Sequence, residues 1–288
     1  MKKAQKYEAD NNKGKPDLLD SLPGSRIKWK KSKEEVWQNI ESAIEEKPEA
    51  RSISLRSTFL RISAAASVIL IVGAALFMRY YTRTVFSQPG ELAQIELPGG
   101  SNITLNASTE IKYKPLWWFI EREIEMKGEV FFDVTKGREF TVLSATGKTT
   151  VLGTSFNIYS RDKDYEVKCY TGKVSVESLV NGEKVIIEEN QGALVNRNGT
   201  LSMNELSSVP DSDWRTGLFR FTSSPIERVL DEISRQYGIE IEGTEGLDLV
   251  YTGSFTRDQS PAEVLNIVCR AFGLKFVKED DSTYRIMD

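Results

Sequence analysis

Catalysis needs nucleophiles, acids, bases or metal ligands at workable spacing, and this sequence is poor in them. None of its 288 residues is histidine, which removes every Ser-His-Asp or Cys-His scheme and every His-ligated zinc or haem site. The two cysteines, Cys169 and Cys269, form no CxxC pair. Cys169 falls beside Val167 on the apolar face of a strand pattern, and Cys269 with Leu265 and Phe272 on that of a helix pattern. Both read as core fillers, and a bridge between them would have to join two modules. Glu121, Glu123 and Glu125 alternate with Ile124 and Met126, which sets the carboxylates on the solvated face of one strand, whereas a glycosidase needs two of them facing across a cleft. No catalytic residue, cofactor site or metal set is expected, and the protein is not expected to be an enzyme. One unusual pair is left. Trp117 and Trp118 could form a sugar-stacking or protein-docking patch, although adjacent strand residues face opposite sides and one of the two is expected in the core.

The charge distribution says where such a patch would be displayed. Residues 1–61 carry 14 basic and 10 acidic side chains, a net +4, whereas residues 84–288 carry 22 and 32, a net −10. An acidic body argues against direct nucleic-acid binding. Between the two lies Ile62–Met78, 17 residues without a charge, bracketed by Arg61 and Arg79. A helix of that length is about 26 Å long, near the short limit for a hydrocarbon core. Tyr80 and Tyr81 at the boundary and snorkelling of the two arginines extend it to a span over 62–81. About 60 residues precede it, too many for a signal peptide. Lys47, Arg51, Arg56 and Arg61 on the N-terminal flank, against Arg79 and Arg83 on the other, orient the N-terminus to the cytoplasm and export the acidic two-thirds.

The cytoplasmic part divides into a polar, Lys-rich, disordered tail at 1–31 and a helical and juxtamembrane segment at 32–61. Ser32 and Glu35 have capping-box spacing, and Val36, Trp37, Ile40, Ala43 and Ile44 follow at helical intervals up to Pro48. Alone, so short a helix is marginal in water and needs a partner for its apolar face. Glu34, Glu41, Glu45 and Glu46 disfavour an anionic lipid surface, so the helix reads as a contact for a cytoplasmic protein or as a simple spacer before the membrane, the protein contact being the sharper reading.

Beyond the span, residues 91–205 alternate with period two and break at Pro98-Gly99-Gly100, Lys136-Gly137, Thr146-Gly147, Thr171-Gly172, Asn181-Gly182 and Asn198-Gly199. Short strands with frequent turns predict an antiparallel all-β domain, with sandwich, jelly roll and β-roll left open. Residues 214–288 hold an internal repeat. Pro225 through Ile241 resembles Pro261 through Phe276, each copy with Pro opening a helix and Gly closing it before a strand. The fold class expected is thus a multi-domain membrane protein. It has a short cytoplasmic α segment, one transmembrane helix, an all-β β-roll- or jelly-roll-like periplasmic domain and a small α+β domain of two βαβ halves.

Several motifs in order resemble a known family. Leu97-Pro98-Gly99-Gly100-Ser101, Lys127-Gly128-Glu129-Val130-Phe131-Phe132-Asp133-Val134, Val151-Leu152-Gly153-Thr154-Ser155-Phe156-Asn157-Ile158 and Tyr170-Thr171-Gly172-Lys173-Val174 are similar to the exported domain of FecR-type anti-sigma regulators. Trp214-Arg215-Thr216-Gly217-Leu218-Phe219 and Tyr251-Thr252-Gly253-Ser254-Phe255 resemble the C-terminal module of many such regulators, itself similar to the signalling domain of secretins and TonB-dependent receptors. The resemblance implies a single-pass inner-membrane protein that binds an extracytoplasmic-function sigma factor in the cytoplasm and reads a TonB-dependent outer-membrane receptor through that receptor's signalling domain. It makes Trp37, Ile40 and Ile44 the sigma-contact residues. The alternative is a membrane-tethered periplasmic glycan-binding or adhesion protein acting through Trp117 and Trp118.

Overall fold

The computed structural model describes residues 30–45, 55–162, 164–206 and 213–287. The tail expected at 1–31 lies outside the described residues but for its last two, as do Lys47 and Arg51 of the cationic flank. The chain divides into two units, residues 1–65 and 66–288.

In the first unit, α1 (Lys33–Glu45) starts where the capping box places it. The Ser32 amide donates to Glu35 Oε2 at 3.3 Å and the Glu35 amide to Ser32 Oγ at 3.1 Å, so two of the orphan donors of the first turn are satisfied. Next, α2 (Leu55–Tyr80) carries through the unit boundary. Its Thr58–Tyr80 stretch is long and apolar enough to cross a membrane, about 35 Å at 1.5 Å per residue. Val68 through Val72 are all exposed, Leu70 at 72%. Five consecutive exposed residues cover a full turn, so this part of the helix is apolar all round and exposed among the described residues.

The second unit continues with thirteen strands: β1 (Arg83–Ser87), β2 (Ala93–Glu96), β3 (Asn102–Leu105), β4 (Thr109–Tyr113), β5 (Arg122–Asp133), β6 (Phe140–Leu143), β7 (Gly147–Val151), β8 (Ser155–Arg161), β9 (Asp164–Thr171), β10 (Lys173–Ser178), β11 (Lys184–Glu188), β12 (Gln191–Val195) and β13 (Leu201–Glu205). The long strand β5 organises them. Its first half pairs with β4 on one side and β6 on the other, and its second half with β3 and β8. One sheet therefore runs β1-β4-β5-β6-β7-β10-β11 and the other β2-β3-β5-β8-β9-β12-β13, a near-barrel closed on one core. The hand-over falls at Gly128, whose φ of +117° is open to glycine and costly for other residues. Ile124, Met126, Val130 and Phe132 point into the core, where Phe132 stacks on Phe156 at 4.9 Å and meets Phe140 at 6.0 Å.

Two features depart from the sequence expectation. The β5–β6 pair is parallel, so the domain is mostly rather than wholly antiparallel. The domain also opens at Arg83, before the expected residue 91, with a five-residue strand of which only Val85 packs on the core. A single inward apolar residue leaves no alternation to detect.

The last module follows the repeat. After a 3₁₀ turn at Trp214–Thr216 come β14 (Leu218–Pro225), α3 (Ile226–Tyr237) and β15 (Glu240–Glu242), then β16 (Val250–Thr256), α4 (Pro261–Arg270), β17 (Lys275–Lys278) and β18 (Thr283–Met287). The halves interleave: β14 pairs antiparallel with β16, while β15 and β17 flank β18. Gly238 ends α3 in the left-handed conformation, and Ser260 with Glu263 forms the capping box of α4, with Pro261 in its first turn. Both helices bury apolar faces in one core with Phe219, Tyr251 and Phe255. Cys169 and Cys269 are free and buried, each in a different core. Burial raises both thiols, that of Cys169 to about 11, which keeps it a neutral filler.

Candidate functional site

The sequence-derived contact residues of α1 lie on one stripe. At about 100° per residue, Ala43, Val36, Ile40, Ile44 and Trp37 fall within an arc of about 120°. Trp37 is 67% exposed, and Val36, Ile40 and Ile44 are exposed as well. Together they form one exposed apolar stripe on a short helix.

The structure separates Trp117 and Trp118. They sit in a turn, residues 115–120, rather than in a strand. Trp118 is 2% exposed and packs edge-on against Tyr113 and Phe140, each at 5.7 Å. Trp117 is partly buried under the Arg79 guanidinium, 5.6 Å from its ring centroid. Two rings held this way form no shared stacking platform.

The densest constellation of functional groups was not visible in the sequence. It lies on the seam between the β domain and α3. Sheet residues alternate, so Phe156 and Ile158 of β8 point into the core while Asn157, Tyr159 and Arg161 point outward. Helix α3 meets this outer face with a polar side made of Arg228, Glu232, Arg235 and Gln236, beside the apolar side that enters its own core. Asn106 and Asn157 each donate from Nδ2 to Glu129 at 2.8 Å. Gln236 Nε2 donates to Asn106 Oδ1 and to Glu232 Oε1, both at 2.7 Å. Arg235 Nη2 donates to Glu232 Oε2 at 2.9 Å, and Arg257 Nη2 donates to Gln236 Oε1. Trp214 Nε1 donates to Asn157 Oδ1 at 3.3 Å. At the rim Arg228 Nη1 donates to Glu166 Oε1 at 2.6 Å and lies 4.4 Å over Tyr159, and Arg215 lies 3.7 Å over Phe131.

The seam brings two carboxylates together in an enclosed place. Burial and the charge of Glu232 raise Glu129, whose side-chain hydrogen bonds come from the neutral amides of Asn106 and Asn157. Burial would raise Glu232 too, but Arg235 and Arg161 outweigh it and hold that carboxyl below its ordinary value. Burial also raises the Tyr159 phenol to about 12. Such a pair would suit acid–base chemistry if a substrate could reach it. The cavity there is only about 60 Å³, room for a few water molecules and too small for a sugar. Among the described residues no cluster of acidic or cysteine side chains could hold a metal.

These features define a class: a protein of two modules locked by a polar seam, preceded in sequence by an amphipathic helix and by one helix long and apolar enough to cross a membrane. The chain belongs to the FecR family. Residues 83–175 match the family described as FecR protein and residues 218–286 the one described as FecR, C-terminal, together more than half of the chain. The family consists of membrane-anchored, non-enzymatic regulators. Crystal structures of a candidate anti-sigma factor from Parabacteroides distasonis ATCC 8503, at 1.65 and 2.50 Å resolution, are similar to this chain with a TM-score of 0.65 and 27% identity. That similarity covers 72% of this chain and 99% of theirs. Comparison with curated proteins found no match.

Proposed function

We propose that this protein is a single-pass anti-sigma regulator of the bacterial inner membrane that relays a periplasmic signal to an extracytoplasmic-function sigma factor. Residues 1–31 form a cytoplasmic tail, 32–61 the sigma-binding and juxtamembrane segment, 62–81 the membrane span, 91–205 the body of the periplasmic β domain and 214–288 the signalling-type module. The observation that carries this reading is the exposed stripe of Trp37, Ile40 and Ile44 ahead of a helix that is apolar all round. An amphipathic helix that lays its apolar face into a groove of its partner is a recurrent mode of protein recognition. On the far side, the C-terminal module meets the signalling domain of a TonB-dependent outer-membrane receptor. Strands β14 and β16 pair only with each other among the described residues, so each offers an edge for strand addition.

A bacterial two-hybrid assay between residues 1–60 and extracytoplasmic-function sigma factors encoded in the same genome tests the reading. One of them should interact, and Trp37→Ala should weaken the interaction by about 2 kcal/mol or more, the usual cost of losing a tryptophan anchor. No interaction with any of them, together with unchanged transcription of their targets on deletion of the gene, refutes it.

A further inference from the structure

We infer that the β4–β5 loop is a membrane wedge, in which Leu116, Phe119 and Ile120 enter the lipid interface beside the exit of α2 and fix the height of the β domain above the bilayer. The inference rests on α2 being a membrane span. The register places the loop there. Strand β1 starts at Arg83, just after α2 ends at Tyr80, and pairs antiparallel with β4 so that Arg83 lies opposite Tyr113. Tyr113 in turn lies opposite Ile124 of β5, so both ends of the 114–121 loop sit where the chain leaves the helix.

Side chains then clamp the loop to the last turn of α2. Arg79 Nη1 donates to Glu121 Oε2 at 3.0 Å, and Lys114 Nζ is 3.9 Å from the same oxygen. The Arg79 guanidinium covers Trp117, while Trp118 turns into the core. With both tryptophans occupied, the other apolar side chains of the loop face outward: Phe119 is 75% exposed, Ile120 65% and Leu116 39%. Tyr80 and Tyr81, which close α2 and follow it, are exposed as well. Aromatic and aliphatic side chains beside the end of a span are the chemistry of the lipid–water boundary. Two cations face Glu121, the acidic group of the clamp, so a zwitterionic surface suffices. Continuity with the span singles out lipid over a protein partner for this tip.

The test uses the full chain in phosphatidylcholine nanodiscs with single added cysteines, since Cys169 and Cys269 are buried. An NBD label is placed at Phe119→Cys, at Leu70→Cys within the span, and at Leu179→Cys. The last follows Ser178, which pairs with Gly147 at the far end of its sheet. Lipids carrying a shallow doxyl group on the acyl chain should quench the label at 119, and lipids carrying a deep one that at 70, each at least twofold, and both should leave that at 179 unchanged. A nitroxide at Ile120→Cys should collide more with oxygen than with a nickel chelate, which guards against a dye that draws its own site into lipid. Quenching at 70 without quenching at 119 or oxygen preference at 120 overturns the wedge and keeps the span. No quenching at 70 overturns both. A change at 119 that appears only with two copies per disc assigns the tip to a second chain and overturns the wedge as well.

Discussion

Removing the Arg228 side chain should loosen the seam by an amount that the geometry sets. Arg228 and Glu166 are joined at 2.6 Å with 32% and 22% of their side chains exposed. They are therefore neither a surface pair worth ~1 kcal/mol at most nor a fully desolvated one. A hydrogen bond between charged groups at this depth contributes about 1.5 kcal/mol, and a guanidinium 4.4 Å over the buried Tyr159 ring adds roughly 1 kcal/mol. Arg228→Met keeps the aliphatic packing and loses both, so docking should weaken by about 2–3 kcal/mol, roughly 30- to 150-fold. The Trp214 indole N–H is the natural reporter, because it is buried and bonded across the seam to Asn157. Its solvent exchange, followed by NMR on the full chain with labelled tryptophan, should accelerate by that factor where exchange tracks the open fraction. A cycle with Glu166→Gln should return a coupling of about 1–2 kcal/mol. Acceleration under threefold, or a coupling near zero, would show that the seam is held by packing and that the polar contacts are incidental.

Three further outcomes follow from the same structure. Glu129 is raised, so the docked form binds its proton more readily than the open form; docking should be strongest near pH 4.5, weaken as pH rises through the docked value, and lose that slope in Glu129→Gln, as read by Trp214 N–H exchange. Below pH 4.5 the lowered Glu232 should reverse the trend, since its contribution fades once it is protonated. Gly128→Ala should cost about 3–5 kcal/mol in thermal unfolding, because φ is +117° and a methyl group would lie 2.8 Å from Thr109 Cα; a loss below about 1 kcal/mol contradicts the assigned hand-over point.

How much of this was legible beforehand differs by element. The capping box of α1, the apolar run of α2 and the Pro-to-Gly repeat of the last module are local signals, and each corresponds to an element of the structure. Alternation in β5 through Ile124, Met126, Val130 and Phe132 likewise marks a core face. The seam was not legible, for a physical reason. Arg228, Glu232, Arg235 and Gln236 follow one another at helical spacing like any solvated face, Glu129 and Asn157 sit at outward positions of their strands, and Asn106 sits in the turn just after β3. Only the docking of α3 onto the outer face of a sheet makes both sides interior, and that contact joins residues from 62 positions apart, as Glu166 and Arg228 are, to 130 apart, as Asn106 and Gln236 are. The sole hint was Trp214, a large aromatic ahead of the module whose indole N–H needs a partner when buried. Trp117 and Trp118 illustrate the converse. Strand alternation puts one of them inside, which holds for Trp118, but the reason is a turn after Pro115 and not a strand.

The account depends on α2 lying in lipid with its two ends in different compartments. Alkaline phosphatase fused after Thr82 should be active and the same enzyme fused after Lys31 inactive, with the full chain released from membranes by detergent and not by carbonate. An inactive fusion after Thr82, or release of the chain by carbonate alone, would contradict it.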